Sequence, residues 1–166
     1  MQKTLKFHCW LPTLLLAFFA IQAQAQVVAV VGHASLKKLD AATVGKIYTG
    51  RIADVDGVYV TAVNAPIGTD VRNKFLQACL RSGEVKYTNF WTVRNKSGFG
   101  SSIKVIGRTD ELLRYIATTP GAIGYVDDSE VVSGANVLLR CDMAQARSSL
   151  ERLLDLVVSQ VEKLVW

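Results

Sequence analysis

Asn64-Ala65-Pro66-Ile67-Gly68-Thr69-Asp70-Val71-Arg72-Asn73-Lys74-Phe75 is the stretch on which the fold turns. It leaves an apolar, β-branched segment containing Val58, Val60, Ala62 and Val63, bends at Pro66 and Gly68, and then takes up helical spacing. Val71, Phe75, Ala78 and Cys79 recur as one buried helix face. Thr69 stands at the N-cap position, where a hydroxyl can accept a hydrogen bond from a first-turn amide. A strand, a glycine turn and a helix N-terminus together point main-chain N–H groups outward beside a positive dipole end, an arrangement that suits an anion. Arg72 adds a candidate two-pronged donor for phosphate or carboxylate. Asp70 opposes it, because a fixed negative charge there already answers the dipole.

Upstream, Val27 to Val31 is a continuous apolar run, the pattern of a strand covered on both faces. Ser35 follows it as a polar group expected at that strand's C-terminal end. Asp40 is placed to cap a helix with Val44, Ile47 and Tyr48 on one face and a stop at Gly50. Asp56-Gly57 is a turn pair, and a strand over Val58 to Val63 follows.

Downstream, Ser82-Gly83 breaks the helix of the opening stretch. A second helix over Glu84 to Val93 places Tyr87 and Trp91 one turn apart, most simply as core. Asn95 to Ser102 is rich in Gly and Ser, a connector or a binding loop. Lys104 to Ile106 reads as a short strand. Thr109 caps a helix with Asp110 and Glu111 in its first turn and Leu112, Leu113 and Ile116 buried. Pro120-Gly121 ends it and launches a strand over Ala122 to Val126, in which Gly124 marks close packing. Asn136 to Leu139 is the last strand expected. Strands thus alternate with helices, which predicts an α/β lobe, a mixed or parallel sheet flanked by helices.

Both ends differ from this middle. Residues 1–25 read as a cleavable export signal: Lys3 and Lys6, an apolar stretch from Leu11 to Ile21, then Ala23-Gln24-Ala25. The apolar part is about eleven residues, short for a membrane span. Residues 26–142 form the lobe, and 143–166 a C-terminal amphipathic helix. In that tail Leu150, Leu154, Val157, Val161 and Leu164 make an apolar stripe, with Arg152, Asp155, Glu162 and Lys163 on other faces. Docking onto its own lobe and self-association are both open for this stripe.

The 19 Lys and Arg residues against 14 Asp and Glu give the 166-residue chain a net charge of +5. Loss of Lys3 and Lys6 with the leader makes it milder still. The basic residues form no stripe among aromatics, which argues against nucleic acid as a partner. His8 and His33 lie apart and no Cys/His cluster has metal-ligand spacing, so neither a metal nor a cofactor is expected. Cys79 and Cys141 remain after leader removal. An oxidising compartment permits them to pair, and packing on a helix face is an equal reading of Cys79. No nucleophile–base pair is visible, and no turnover is expected.

Several segments resemble the periplasmic phosphate-binding proteins of ABC transporters, in a short, single-lobe form. They are Val28 to Val31, Leu39-Asp40, Val44 to Ile52, the Gly68-Thr69 corner with Arg72 and Phe75, Trp91, Gly98-Phe99-Gly100, and Thr119 to Val126. The resemblance implies one lobe of a type-2 periplasmic-binding-protein fold, a periplasmic location, and inorganic phosphate or a similar oxyanion as ligand. It also implies a membrane permease or sensor as partner. The ligand contacts expected are Gly68, Thr69 and Arg72, with Ser35 as an additional donor. The corner departs from the family pattern of an Arg, a short turn and Ser-Gly-Thr: Ile67 stands in place of the Ser, and Asn64 or Ala65 in place of the Arg. An anion oxygen left without that hydroxyl loses about 1–3 kcal/mol. A single lobe also leaves the anion wet, and a homodimer through the C-terminal helix would rebuild a two-sided cleft. The alternative is a periplasmic interaction or sensory module that has lost its small ligand.

Overall fold

The first strand, β1 (Val27–Gly32), divides the molecule into two cores. Its Val28 and Val30 pack with Val44, Ile47, Tyr48, Phe75 and Leu76 on one face of the sheet. Ala29 and Val31 pack with Leu112 and Ile116 on the other. Successive side chains of a strand point to opposite faces, so an unbroken apolar run is what a doubly covered strand requires. The structure, a computed structural model, describes residues 27–98, 103–145, 147–148, 151–152 and 154–157.

The main sheet has the order β5-β4-β6-β1-β7. Here β4 is Thr61–Asn64, β5 Lys104–Val105, β6 Ala122–Asp127 and β7 Val137–Asp142. β4 pairs in parallel with β5 and β6, whereas β1 runs antiparallel to both β6 and β7. The sheet is therefore mixed. Helices α1 (Ala41–Tyr48), α2 (Asp70–Ala78) and α3 (Glu84–Lys96) supply the first core and α4 (Thr109–Thr118) the second, which makes an α/β/α sandwich.

Local signals account for most of these bounds. The Asp40 carboxylate accepts from the Thr43 amide at 2.6 Å and caps α1. Asp56 and Gly57 have φ of 51° and 78°, the paired positive values of a tight hairpin turn, between β2 (Asp54–Val55) and β3 (Val58–Tyr59). The single strand expected over Val58 to Val63 is divided. Its start pairs back into the hairpin, then the Thr61 amide finds Gly121 O and the chain enters the main sheet. α3 continues three residues beyond Val93, with Arg94 and Lys96 answering the dipole at its end. The cap of α4 is Arg108 rather than Thr109, whose hydroxyl instead reaches the Glu130 carboxylate at 3.3 Å. β7 outruns the expected Asn136 to Leu139 because its pairing with β1 continues to Val27 opposite Asp142.

Gly124 carries out its expected role: a Cβ there would stand 2.8 Å from Leu112 Cδ1 and 3.0 Å from Ile116 Cδ1. Cys79 and Cys141 form a disulfide that ties the end of α2 to β7. The described residues of the tail are helical, and its stripe residues Leu154 and Val157 are exposed. The export signal, Phe99 to Ser102 and the rest of the apolar stripe lie outside the described residues. Among the described residues no helix is long and apolar enough to cross a membrane, and no three His, Cys, Asp or Glu side chains group as metal ligands.

Candidate functional site

Strands β4, β5 and β6 run the same way, and open α/β sheets take ligands beyond the carboxyl ends of such strands. Beyond β4 the chain turns through Ala65 to Gly68 into α2. Gly68 has φ of 85°, with open space where a Cβ would stand. The Thr69 amide and hydroxyl both donate to Pro66 O, at 3.3 and 2.8 Å. The hydroxyl therefore closes the turn behind it and does not cap the helix. Ile67, at the tip, is 66% exposed.

Arg72 lies beneath this turn, buried. Its Nε donates to Glu84 Oε2 at 2.7 Å, its Nη2 to Glu84 Oε1 at 2.8 Å, and its Nη1 to Ala65 O at 2.8 Å. The guanidinium thus faces inward, clamping the exit of β4 to the start of α3. The Arg72 hydrogen bond holds the Glu84 carboxyl below its ordinary range, against the opposing pull of burial. With Arg72 neutralised by Glu84 and Asp70 in the first turn of α2, the corner has little net positive charge.

A buried polar network supports the clamp. Asn64 Nδ2 donates to Tyr87 Oη at 3.1 Å, and the Tyr87 hydroxyl donates to Tyr48 O at 3.1 Å. The Tyr125 hydroxyl donates to Asn64 Oδ1 at 3.1 Å and accepts from the Ala65 amide at 3.0 Å. Trp91 Nε1 also reaches Tyr48 O, at 3.2 Å. Phe75 stacks on Tyr125, ring centres 3.9 Å apart. Burial raises the phenols of Tyr48, Tyr87 and Tyr125 above their ordinary value, so all three remain hydroxyl donors. A cavity of about 240 Å³ opens against this network, bordered by Asn64, Ile67, Arg72, Tyr87, Trp91 and Val105.

Gly68, Thr69 and Arg72 are therefore together, the first two at the surface and the third behind them. Ser35 is elsewhere. Its Oγ accepts from the Gly121 amide at 3.3 Å, at the start of β6, while the corner adjoins the end of β6, where Lys74 pairs with Asp127 at 2.6 Å. Because β1 is antiparallel to β6, its C-terminal end lies at the opposite edge of the sheet, about 17 Å away at strand rise. Sequence reading missed Asn64, Glu84 and Tyr125 as partners. Asn64 at the very end of a β-branched strand was the one available signal, a polar residue where the core should continue.

No protein-family model matches the sequence, and no curated protein matches it. Solved structures do share the fold. A phosphate ABC transporter substrate-binding protein with bound phosphate, from Clostridium perfringens, superposes with a TM-score of 0.53 at 16% identity, over 69% of this chain and 44% of that one. An ABC-type phosphate transport receptor from Vibrio cholerae gives 0.48 at 11% identity, over 69% and 46%. PstS from Borrelia burgdorferi gives 0.48 at 15%, over 69% and 47%. The chain spans less than half the length of the structures it matches, and its likeness to them is one of fold.

Proposed function

We propose that this chain is an exported oxyanion-binding lobe of the phosphate-binder type, holding its ligand weakly at the corner between β4 and α2. The observation that carries the reading is the rigid turn Ala65 to Thr69 at the carboxyl edge of parallel strands, aimed into the N-terminus of α2. The contacts proposed are main-chain donors of Gly68 and of the first turn of α2, beside Thr69, whose own amide and hydroxyl are turned to Pro66 O. Arg72 serves as the clamp that fixes their geometry, and Ser35 has no part in the contact. Binding is ground-state only, without turnover. The likeness in fold to a phosphate-bound structure supports phosphate as first ligand, with a membrane permease or sensor as partner. The Cys79–Cys141 disulfide supports residence in the periplasm, after removal of residues 1–25. Titration calorimetry with phosphate and with sulfate tests the reading. Heat saturating at or below millimolar ligand is expected, and none at either anion overturns it.

A second reading is favoured by the exposed Ile67 and the inward-turned Arg72: a lobe that no longer captures a small ligand and serves as an interaction or sensory module. Its contact would be the tail from Met143, to a membrane partner or to a second copy. A partner that co-purifies with the full chain and is lost on deleting residues 143–166, with anion binding absent, supports it. Associations unchanged by that deletion sink it.

A further inference from the structure

At the end of the sheet away from the corner lies a cavity of about 310 Å³. It opens to solvent between the loop after β1, the C-terminal half of α4 and the loop entering β7. Leu113, Ile116, Ala117, Val132 and Ala135 give it an apolar wall, and among the described residues no charged side chain lines it. Val132 is 54% exposed at its rim, apolar surface that a flat occupant would cover. Ile116 and Ala117, in the last turn of α4, line it, and the negative end of a helix dipole disfavours an anion nearby. The size exceeds the ~150 Å³ apolar cavity that accommodates benzene, which leaves room for two fused rings.

The polar side of the cavity is specific. Asn136 Nδ2 donates to His33 O at 3.0 Å and to Leu36 O at 2.8 Å, so its amide orientation is fixed and Oδ1 remains as an acceptor. The Ser35 amide donates to His33 Nδ1 at 3.1 Å, which makes that nitrogen an acceptor. The Gly121 amide donates to Ser35 Oγ at 3.3 Å, directing the hydroxyl proton onto His33 Nδ1 at 2.9 Å. The ring proton is then on Nε2. The His33 ring donor and the Asn136 acceptor, with Ser133 beside them, border a space whose remaining side-chain lining is apolar.

We propose that this cavity is a binding site for a small neutral aromatic molecule carrying a group that both donates and accepts a hydrogen bond, such as a phenol or a primary aryl amide. It is independent of the oxyanion corner. Amide chemical-shift mapping on the full chain with 2-naphthol as probe tests it, with naphthalene-2-carboxylate as the charged control. Saturable shifts centred on Gly32, Ala117, Gly134 and Ala135 are expected, with binding of the carboxylate at least about tenfold weaker. His33→Ala, at a surface position, should weaken 2-naphthol about fivefold to tenfold. Ala117→Phe should abolish the shifts while the rest of the spectrum stays dispersed. Absence of shifts up to the probe's solubility, or shifts elsewhere in the lobe, overturns the site. Equal binding of the carboxylate, or affinity unchanged in His33→Ala, overturns the ligand class.

Discussion

Arg72 and Glu84, twelve residues apart, meet in a two-pronged ion pair with both nitrogen–oxygen distances below 3 Å, and the third guanidinium arm holds Ala65 O. Arg72 is 5% exposed, so neither solvent nor salt screens its side of the pair. Removing it strands a carboxylate and a buried carbonyl. Arg72→Leu is expected to lower stability by about 3 kcal/mol, read from the urea midpoint. A cycle with Glu84→Gln should give a coupling of about 1–3 kcal/mol. Additive losses would mean that the two side chains do not act as a unit.

Acid should weaken the same joint. Glu84 is held below its ordinary value of 4.5 chiefly by the Arg72 hydrogen bond, and Asp127 below its 3.8 chiefly by Lys74. A carboxylate depressed in the folded state binds protons more readily when unfolded. Its contribution is complete above the unfolded value and is lost as pH falls through the folded one. Unfolding midpoints should be flat from pH 7 to about 5 and fall steadily below about 4.5, less steeply in Glu84→Gln. A midpoint that rises on acidification contradicts this.

The Cys79–Cys141 bond closes a loop of 62 residues. Chain entropy assigns such a closure about 4 kcal/mol, and measured losses cover about 2–5. Reduced protein, or Cys141→Ala, should unfold at correspondingly lower guanidinium. Protein lacking residues 1–25, and with them Cys9, should show no thiol to a colorimetric reagent until denatured and reduced.

Gly121 has φ of 73°, and a Cβ there would come 1.9 Å from Tyr59 O. Both backbone strain and a collision with main chain follow, and neither relaxes by turning a side chain. Gly121→Ala should cost about 3 kcal/mol or more. Gly134→Ala, strained but in open space, should cost about 1 kcal/mol. Similar thermal midpoints for the two variants would refute the steric account.

Ile67 is exposed at the tip of the corner, so Ile67→Ser should leave stability within about 0.5 kcal/mol. By supplying a hydroxyl it should tighten phosphate about threefold or more in calorimetry. Unchanged or weaker binding would separate the corner from the ligand.

The legible part of the fold was what local pattern controls. Val27 to Val31 announced a doubly covered strand, Asp40 a cap, Asp56-Gly57 a hairpin, and Gly124 a close approach, each from residues within a few positions. Segments also matched a known fold at the positions of Tyr48, Phe75, Trp91 and Tyr125, and the structure shows these to be ring contacts and hydrogen bonds of the core. What stayed hidden was long-range. Nothing near Arg72 in sequence shows that Glu84 will take its guanidinium, and a free-standing reading offers it to an anion. Ser35 was expected as an additional donor to the ligand at the corner. The antiparallel setting of β1, which sends the ends of β1 and β4 to opposite edges, leaves no mark in the residues themselves. Thr69 misled for a simpler reason: Pro66 O lies within reach of its hydroxyl and wins over the helix amides.

Among the described strands of the main sheet, the first in chain order sits between the last two. β1 is flanked by β6 and β7, each about a hundred residues downstream, and its face is covered only once α2 has also been made. Pairing of β1 therefore waits on residues 122–142. A chain cut before β6 would leave its opening strand without either neighbour, so fragments that stop at residue 121 should not hold β1 in a sheet.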